Sequence, residues 1–392
     1  MKITGRVHAM RAKSIDPSRA VAGAAGLTAL HPVARRAFLA ASAGLGLAGA
    51  VPAVAQPKLK KVRIAVGTNI LNLTYPWLTL PLIKGWWRDE GYDVEVLPVG
   101  ASLQALQQMV AGNVDFAQLN SSVVIQANVV NNIPVRAVMN NGILDWSLAV
   151  LQDSAIRSPG DLKGKAIGVF SLATGGIVFM KSYFRGLGID PDHDIQIIPV
   201  GLGAPAVDAL RSDRVQALMY WGAALASFEN AGLRLRYFQG DDWALMPDFT
   251  FATLQKTIDE DPAMVEAIAR GAAKACVFVT ENPRCQLDLH WAAYPSSKPT
   301  GADDATLVER DMNNLRMQLL AMRGAFEMNG GKLWGRATPL AYGRLQAFMQ
   351  TAGMIQHSVD PATFMPTIPA FFEKINDFDV ADIQRQARVC AR

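Results

Sequence analysis

The stretch VEVLPVGASLQALQQMVAGNVDFAQL (Val94–Leu119) determines how we expect the chain to fold. Val94–Val99 has the apolar pattern of a strand, and Ser102 can cap a helix that ends before Gly112. A second strand pattern follows at Val114–Leu119. A strand, a helix and a strand in this order form a βαβ unit with two parallel strands.

The same alternation extends in both directions from this unit. Upstream, Val62–Gly67 has the pattern of a strand, and Leu78–Glu90 is predicted as one helix. Downstream, the alternation restarts after the turn-rich segment Ser158–Gly164 and continues to Leu233–Phe238. Beyond about Pro262 only helices are predicted. The fold class is therefore α/β: two successive blocks with mostly parallel sheets, followed by a helical tail.

The N-terminal region has the features of an export signal. Residues 33–56 read VARRAFLAASAGLGLAGAVPAVAQ, in which Arg35 and Arg36 precede an uncharged apolar run and the small residues Ala53-Val54-Ala55. This order is typical of a twin-arginine signal peptide. The alternative is a membrane anchor, but the apolar run is short for a spanning helix. We therefore exclude residues 1–55 from the fold.

The overall positive charge belongs mainly to this signal. The chain has 38 Lys and Arg residues against 34 Asp and Glu residues, a net charge of +4. Without residues 1–55 the net charge is about −2, so no basic surface for nucleic acid or anionic lipid is indicated.

The three cysteines show no motif for chemistry. Cys276, Cys285 and Cys390 form no CxxC pair and have no metal-ligand spacing. Buried or incidental thiols are the favoured interpretation. We expect no metal and no cofactor.

Five segments, taken together, resemble a known family. In order they are VRIAVG (Val62–Gly67), GWWRDEGYDVEVLPV (Gly85–Val99), QALQQMVAGNVDFAQLNSS (Gln104–Ser122), IRSPGDLKGKAIGV (Ile156–Val169) and VDALRSDRVQALMYWG (Val207–Gly222). Their order and spacing resemble the periplasmic solute-binding proteins for nitrate, aliphatic sulfonates and taurine, the SsuA/THI5-like or NMT1 family of ABC transporters. Many relatives have a segment like APLYVAKEKG where this chain has Tyr75–Leu82, so the ligand cannot be copied from them.

The resemblance implies a two-lobed periplasmic binding protein of type II. Each lobe would be a five-stranded, mostly parallel sheet with flanking helices, and two crossing strands would join the lobes. We expect residues 58–146 to begin lobe 1, residues 147–248 to form lobe 2, and residues 249–392 to return to lobe 1 and form the helical tail. The protein would be a periplasmic monomer.

The implied function is capture of a small organic anion by lobe closure and its delivery to an ABC permease and ATPase. The anion would be a sulfonate or a carboxylate, with or without an aromatic ring. One alternative ligand is a precursor of the thiamine pyrimidine or of riboflavin. Another alternative is a pyrimidine-synthesising enzyme like the fungal relatives, which use a His and a cluster of cysteines with iron. We predict a binding protein rather than an enzyme, because no Cys cluster or nucleophile motif accompanies His193, His290 and His357.

Two loops are predicted to bind the anion. In open α/β sheets, ligands bind beyond the carboxyl ends of the strands. Ser171, Thr174 and Gly175 lie in such a loop in the second block, before a helix whose N–H groups can bind an anion. Asn120-Ser121-Ser122 lies in the corresponding loop of the first block. The alternative is that both loops only cap their helices.

Polar and aromatic side chains near other strand ends complete the predicted site. Aromatic rings there can clamp a planar ligand, although packing in the core is the more usual role of a Trp. The candidates are Asn69, Tyr75, Trp77, Trp146, Tyr220 and Trp221.

Overall fold

The structure, a computed structural model, describes residues 58–390. The predicted export signal lies outside the described residues. The strands are β1 (Lys60–Val66), β2 (Tyr92–Pro98), β3 (Phe116–Leu119), β4 (Val135–Ile143), β5 (Trp146–Leu151), β6 (Ala166–Val169), β7 (Gln196–Pro199), β8 (Ala217–Trp221), β9 (Leu235–Phe238) and β10 (Pro247–Leu254).

Helices cover both sheets and form the whole chain after β10, apart from loops and short 3-10 turns. They are α1 (Pro76–Ile83), α2 (Trp86–Asp89), α3 (Ser102–Val110), α4 (Ser121–Val129), α5 (Gly176–Gly186), α6 (Ala204–Arg211), α7 (Gly222–Asn230), α8 (Gln255–Glu260), α9 (Pro262–Glu281), α10 (Pro283–Ala293), α11 (Asp304–Met328), α12 (Pro339–Thr351), α13 (Phe371–Ile375) and α14 (Val380–Val389). Within residues 58–390, no helix is both long and apolar enough to cross a membrane.

The strands form two five-stranded sheets, as predicted. The first has the order β2-β1-β3-β10-β4 and the second the order β7-β6-β8-β5-β9. In the first sheet Ile64 pairs in parallel with Val96 on one side and with Phe116 on the other. One strand of each sheet, β10 or β5, runs antiparallel to both of its neighbours. The prediction of mostly parallel sheets is confirmed, because four of the five strands in each sheet share one direction.

The antiparallel strands mark where the chain changes sheets. The chain leaves the first sheet at Ile143 and begins the second at Trp146, so Leu144 and Asp145 make the first crossing. It leaves the second sheet after β9 and re-enters the first with β10. The two connections between the sheets are therefore the link from β4 to β5 and the link from β9 to β10.

The prediction of a single helix over Leu78–Glu90 was wrong. The pattern Leu78–Glu90 is two helices, α1 and α2, because Gly85 between them has a left-handed backbone with φ 73°. Glycine adopts this conformation without a steric penalty, so the chain turns here.

The helical tail contacts both lobes rather than the first lobe alone. Helix α9 packs on α1 and α14, on the first lobe. Helix α11 packs on β4 of the first sheet and also on α7 of the second lobe. On this second contact, Asn230 Nδ2 donates to the carbonyl of Arg310 at 2.8 Å. Helix α12 likewise contacts α4 and α5. The tail thus bridges the two lobes on two sides.

Two of the three cysteines form a disulfide, which corrects the expectation of free thiols. Cys285 at the start of α10 is bonded to Cys390 at the end of α14. Both helices pack on α9, which brings together residues 105 positions apart in sequence. Only Cys276 is a free thiol within residues 58–390, and it is buried.

We expect this disulfide to stabilise the folded chain by about 2–4 kcal/mol, because it closes a long loop in the unfolded state. Dithiothreitol should lower the melting temperature of the wild type and of Cys276→Ala. It should leave the double variant Cys285→Ser, Cys390→Ser unchanged. A wild-type melting temperature insensitive to the reductant would contradict the pairing.

Candidate ligand-binding site

Asp248 is a buried carboxylate at the point where the chain re-enters the first sheet, with none of its surface exposed. Its Oδ1 accepts from Asn120 Nδ2 at 2.9 Å and from the Ser121 N–H at 3.3 Å. Its Oδ2 accepts from Trp146 Nε1 at 2.7 Å and again from Asn120 Nδ2, at 3.0 Å. One side chain therefore holds together the loop after β3, the start of β5 and the start of β10.

Asp145 is a second carboxylate, on the first crossing. Its Oδ2 accepts from the Gly222 N–H at 3.1 Å. Its Oδ1 is shielded from solvent and has no hydrogen-bond partner among the described residues. Burial and, to a smaller extent, the nearby Asp248 together raise the pKa of Asp145 to about 7. Burial also raises the pKa of Asp248 to about 6, although its hydrogen bonds act in the opposite direction.

Each of these two carboxylates accepts a hydrogen bond from the first N–H group of a helix. Ser121 is the first residue of α4, and Gly222 is the first residue of α7. The N-terminus of a helix attracts negative charge, because its N–H groups lack partners within the helix. In the described structure, the protein's own carboxylates accept the hydrogen bonds that an anionic ligand would accept.

The two lobes meet directly beside Asp248. A Cβ atom added to Gly175 in the second lobe would lie 2.3 Å from Oδ1 of Asn120 in the first lobe. A Cβ atom on the next residue, Gly176, would lie 2.1 Å from the ring of Trp146. Only glycine fits at position 175 while the lobes are in contact, whereas Gly176 and Trp146 pack against each other within the second lobe.

A cavity of about 120 Å³ lies between the lobes, close to this contact. The loop after β1 forms one wall, Trp221 and the start of α7 form the second, and α11 closes it. The ring of Trp221 is half-buried and lies 5.4 Å from the ring of Trp146 and 6.0 Å from that of Phe170, centroid to centroid. Its lining includes Thr74, Trp221, Ala223 and Asp311. We call this the cleft cavity. None of its lining residues is Lys, Arg or His.

The family model described as NMT1/THI5 like matches residues 81–285, just over half of the chain. The chain belongs to the NMT1/THI5-like family. A sequence comparison with curated proteins gives no match.

Solved structures share the fold of this NMT1/THI5-like chain. A protein from Bordetella bronchiseptica RB50 has a TM-score of 0.58 at 21% identity, over 86% of this chain and 99% of its own. The periplasmic aliphatic sulphonate binding protein SsuA from Escherichia coli has a TM-score of 0.56 at 14% identity, over 79% and 93%. The periplasmic nitrate-binding protein NrtA from Synechocystis PCC 6803 has a TM-score of 0.50 at 12% identity, over 86% and 90%. At these identities the likeness shows a shared fold.

The structure brings half of the predicted site residues to the junction of the lobes. Asn120, Ser121 and Trp146 contact Asp248, while Gly175 contacts Asn120. Thr174 precedes Gly175 and is buried. Trp221 is the only one of the twelve predicted residues that lines the cleft cavity.

The other predicted residues lie elsewhere in the fold. Three belong to buried packing: Trp77 donates from Nε1 to Gln118 at 2.7 Å, Tyr75 packs edge-on against Trp77, and Tyr220 donates to the carbonyl of Gly201. Ser122 is buried, Asn69 is exposed, and Ser171 accepts from the N–H of Ala173.

The sequence analysis missed the carboxylates at the junction. Asp248 stands in the apolar run Pro247–Leu254, and Asp145 stands between Leu144 and Trp146. A charged residue within an apolar segment is rarely buried without a specific role. The sequence therefore showed two charged residues within apolar segments, but it did not show which residues donate hydrogen bonds to them.

Residues 58–390 contain no group of three or more His, Cys, Asp or Glu side chains placed to hold a metal ion. His193 is exposed and hydrogen-bonded to Asp190 at 2.7 Å. His290 is buried, and burial lowers its pKa to about 4, so the ring is neutral at pH 7.

We expect Gly175→Ala to push the lobes apart, because the new methyl group would overlap the carboxamide of Asn120. The melting temperature should fall and the radius of gyration from X-ray scattering should rise. Gly186→Ala is the matched control: it lies in the same helix region, and its Cβ would meet nothing within 4 Å. If both variants behave alike, the direct contact between the lobes is not formed in solution.

The raised pKa values predict that stability falls as the pH rises. The folded chain keeps protons on Asp145 and Asp248 that the unfolded chain releases near pH 4. Their contribution is therefore complete below about pH 4 and is lost as the pH rises through their folded pKa values of about 6 and 7. Asp145→Asn should reduce the loss between pH 5 and pH 8 by about 2–3 kcal/mol in urea unfolding, since the folded pKa of Asp145 is about 7 and each pH unit below it is worth about 1.4 kcal/mol.

Asp248→Asn should behave differently. Both oxygens of Asp248 accept hydrogen bonds, so a carboxamide would place N–H groups against N–H donors. We expect a loss of about 2–3 kcal/mol at both pH values. A mild effect of Asp248→Asn, equal to that of Asp145→Asn, would contradict the hydrogen-bonding scheme.

Proposed function

We propose that this chain is the periplasmic solute-binding subunit of an ABC importer and that its ligand binds in the cleft cavity against Trp221. The supporting observation is that both lobes and the tail line this one cavity. Solved structures with this fold include a periplasmic sulphonate-binding protein and a periplasmic nitrate-binding protein. A permease and an ATPase in the inner membrane are the partners that this role requires, and the chain would act as a monomer exported by the twin-arginine route.

Ligand binding would favour the closed arrangement of the lobes. A solute that touches Thr74 on one lobe and Trp221 on the other gains contacts absent from an open form. Changing the ratio of closed to open molecules from 1:99 to 99:1 requires the ligand to bind the closed form more tightly by about 5.5 kcal/mol. Because α11 packs on both β4 and α7, we expect the lobes to shear across this helix over a small distance.

The charges around the cleft cavity bear on the class of ligand. The sequence predicts an organic sulfonate or carboxylate, and that remains a prediction. The cavity offers Asp311 and no basic side chain, and the nearby N-termini of α4 and α7 already bind carboxylates. A fixed anion would be repelled here, whereas a neutral or amine-bearing ring would be accepted. We therefore propose the heterocyclic alternative, a ligand of the thiamine-pyrimidine type, ahead of the anion.

A thermal-shift screen of the full chain tests this proposal. The panel comprises aliphatic sulfonates, aromatic carboxylates, aminopyrimidines and flavins, and we expect an aminopyrimidine to raise the melting temperature. Trp221→Ala should weaken its binding at least about tenfold, because a buried aromatic contact is often worth about 2 kcal/mol. Ala223→Leu, which fills the cavity, should do the same without removing a ring.

The control variant is Leu320→Ala, on an exposed part of α11, which should bind like the wild type. Binding of a sulfonate that Trp221→Ala abolishes would support the function but reject the proposed ligand class. Binding that neither cavity variant changes would reject the site. Mass spectrometry of the released ligand should find it unaltered, and a modified product would favour the enzyme alternative.

A further inference from the structure

A second cavity lies on the opposite face of α7 from the cleft cavity. It has a volume of about 320 Å³, which is within the usual range for small-molecule sites. Asp145 on the first crossing, strands β5 and β9, helix α7 and helix α11 surround it. We call it the hinge cavity. The lining residues are Asp145, Ser147, Gly222, Leu225, Ala226, Glu229, Tyr237, Gln239, Asn313 and Met317.

The hinge cavity has acidic side chains but no basic ones in its wall, and the hydroxyl of Tyr237 is hydrogen-bonded to one of the acidic groups, Glu229. Two carboxylates, those of Asp145 and Glu229, line it, and none of its lining residues is Lys, Arg or His. Oδ1 of Asp145 is buried without a partner among the described residues. An unpaired carboxylate oxygen shielded from water is costly unless a donor reaches it.

The two amides in the wall have their donors committed elsewhere. Gln239 Nε2 donates to Ser147 Oγ at 2.7 Å and to the carbonyl of Trp146 at 3.4 Å. Asn313 Nδ2 donates to Asn230 Oδ1 at 3.1 Å. Each amide retains a carbonyl oxygen that can accept. The hydrogen bonds of the wall are therefore arranged in a way that favours a donor-rich, positively charged guest.

The remaining surface of the hinge cavity is apolar. Leu225 and Ala226 on α7 face it together with Met317 on α11. A hydrated metal ion would gain nothing from this surface, and no group of three metal-binding side chains occurs in residues 58–390. An alkyl or aryl group would be stabilised here, because its apolar surface is removed from water.

We propose that the hinge cavity binds a small organic amine, with its ammonium group at Asp145 and Glu229 and its apolar body against Leu225 and Met317. This site is separate from the cleft cavity, since α7 lies between them. Its occupant would contact the first crossing, the second sheet and α11 together. Binding would therefore stabilise the packing of the tail on the second lobe.

Calorimetry and thermal shift on the full chain with three matched probes test the proposal. Benzylamine carries the ammonium group, benzyl alcohol is its neutral counterpart, and benzenesulfonate is anionic. We expect benzylamine to bind at least tenfold more tightly than the alcohol, and the sulfonate not to bind. Equal binding of the amine and the alcohol, or tighter binding of the sulfonate, would overturn the proposal.

Variants locate the site and separate it from the cleft cavity. Asp145→Asn keeps an acceptor for the Gly222 N–H, and Glu229→Gln keeps the size of the side chain. Each should weaken benzylamine binding at least tenfold. Ala226→Leu, which fills the hinge cavity, should also weaken it.

The cleft cavity could also accept an amine-bearing ring, so the probes and variants are compared in the Ala223→Leu background, in which that cavity is filled and the benzylamine binding that remains belongs to the hinge cavity. Benzylamine binding that Asp145→Asn, Glu229→Gln and Ala226→Leu all leave intact would overturn the proposal. That result would not affect the proposed function, which the variants of Trp221 and Ala223 test separately.

Discussion

The hydrogen-bonded carboxylate of Asp248 is the constraint on which the junction of the two lobes depends. Burying a charge in a protein is costly unless donors surround it. Asn120, Ser121 and Trp146 supply those donors from three segments that are distant in sequence. Because each donor must stay within hydrogen-bond reach, the loop after β3 and the two strands at the crossings keep fixed positions. The contact between Asn120 and Gly175 then sets how closely the lobes approach each other.

The same carboxylates change the electrostatics expected of this fold. Helix N-termini beside a cleft normally favour an anionic ligand. Here Asp248 neutralises the start of α4, and Asp145 neutralises the start of α7. The acidic side chains that line the cavities are Asp311 in one and Asp145 and Glu229 in the other, and neither lining contains a basic side chain. The proposed preference for neutral or cationic guests rests on this arrangement.

Local patterns predicted much of this structure. Strand periodicity and helix caps located β1, β2, β3 and β9 to within a few residues, because these signals lie within short windows of the sequence. The junction depends on pairs far apart, such as Asn120 with Asp248, 128 positions away, and the disulfide, 105 positions apart. No periodicity encodes such pairs. Tyr75 and Trp77 were predicted in the wall of the site, but the structure buries both in the core. An aromatic residue near a strand end fits either place equally well, and only the packing of α1 on α9 decides between them.

Helix α7 connects the two cavities physically. Its Trp221 end and Ala223 face the cleft cavity, while Leu225, Ala226 and Glu229 face the hinge cavity. Helix α11 packs along α7 and contributes to both walls, and it also packs on β4 of the first sheet. Any movement of the second lobe must therefore slide α7 past α11 and reshape both cavities together. A guest in either cavity favours the helix packing that it contacts, because its binding energy is gained only in that packing.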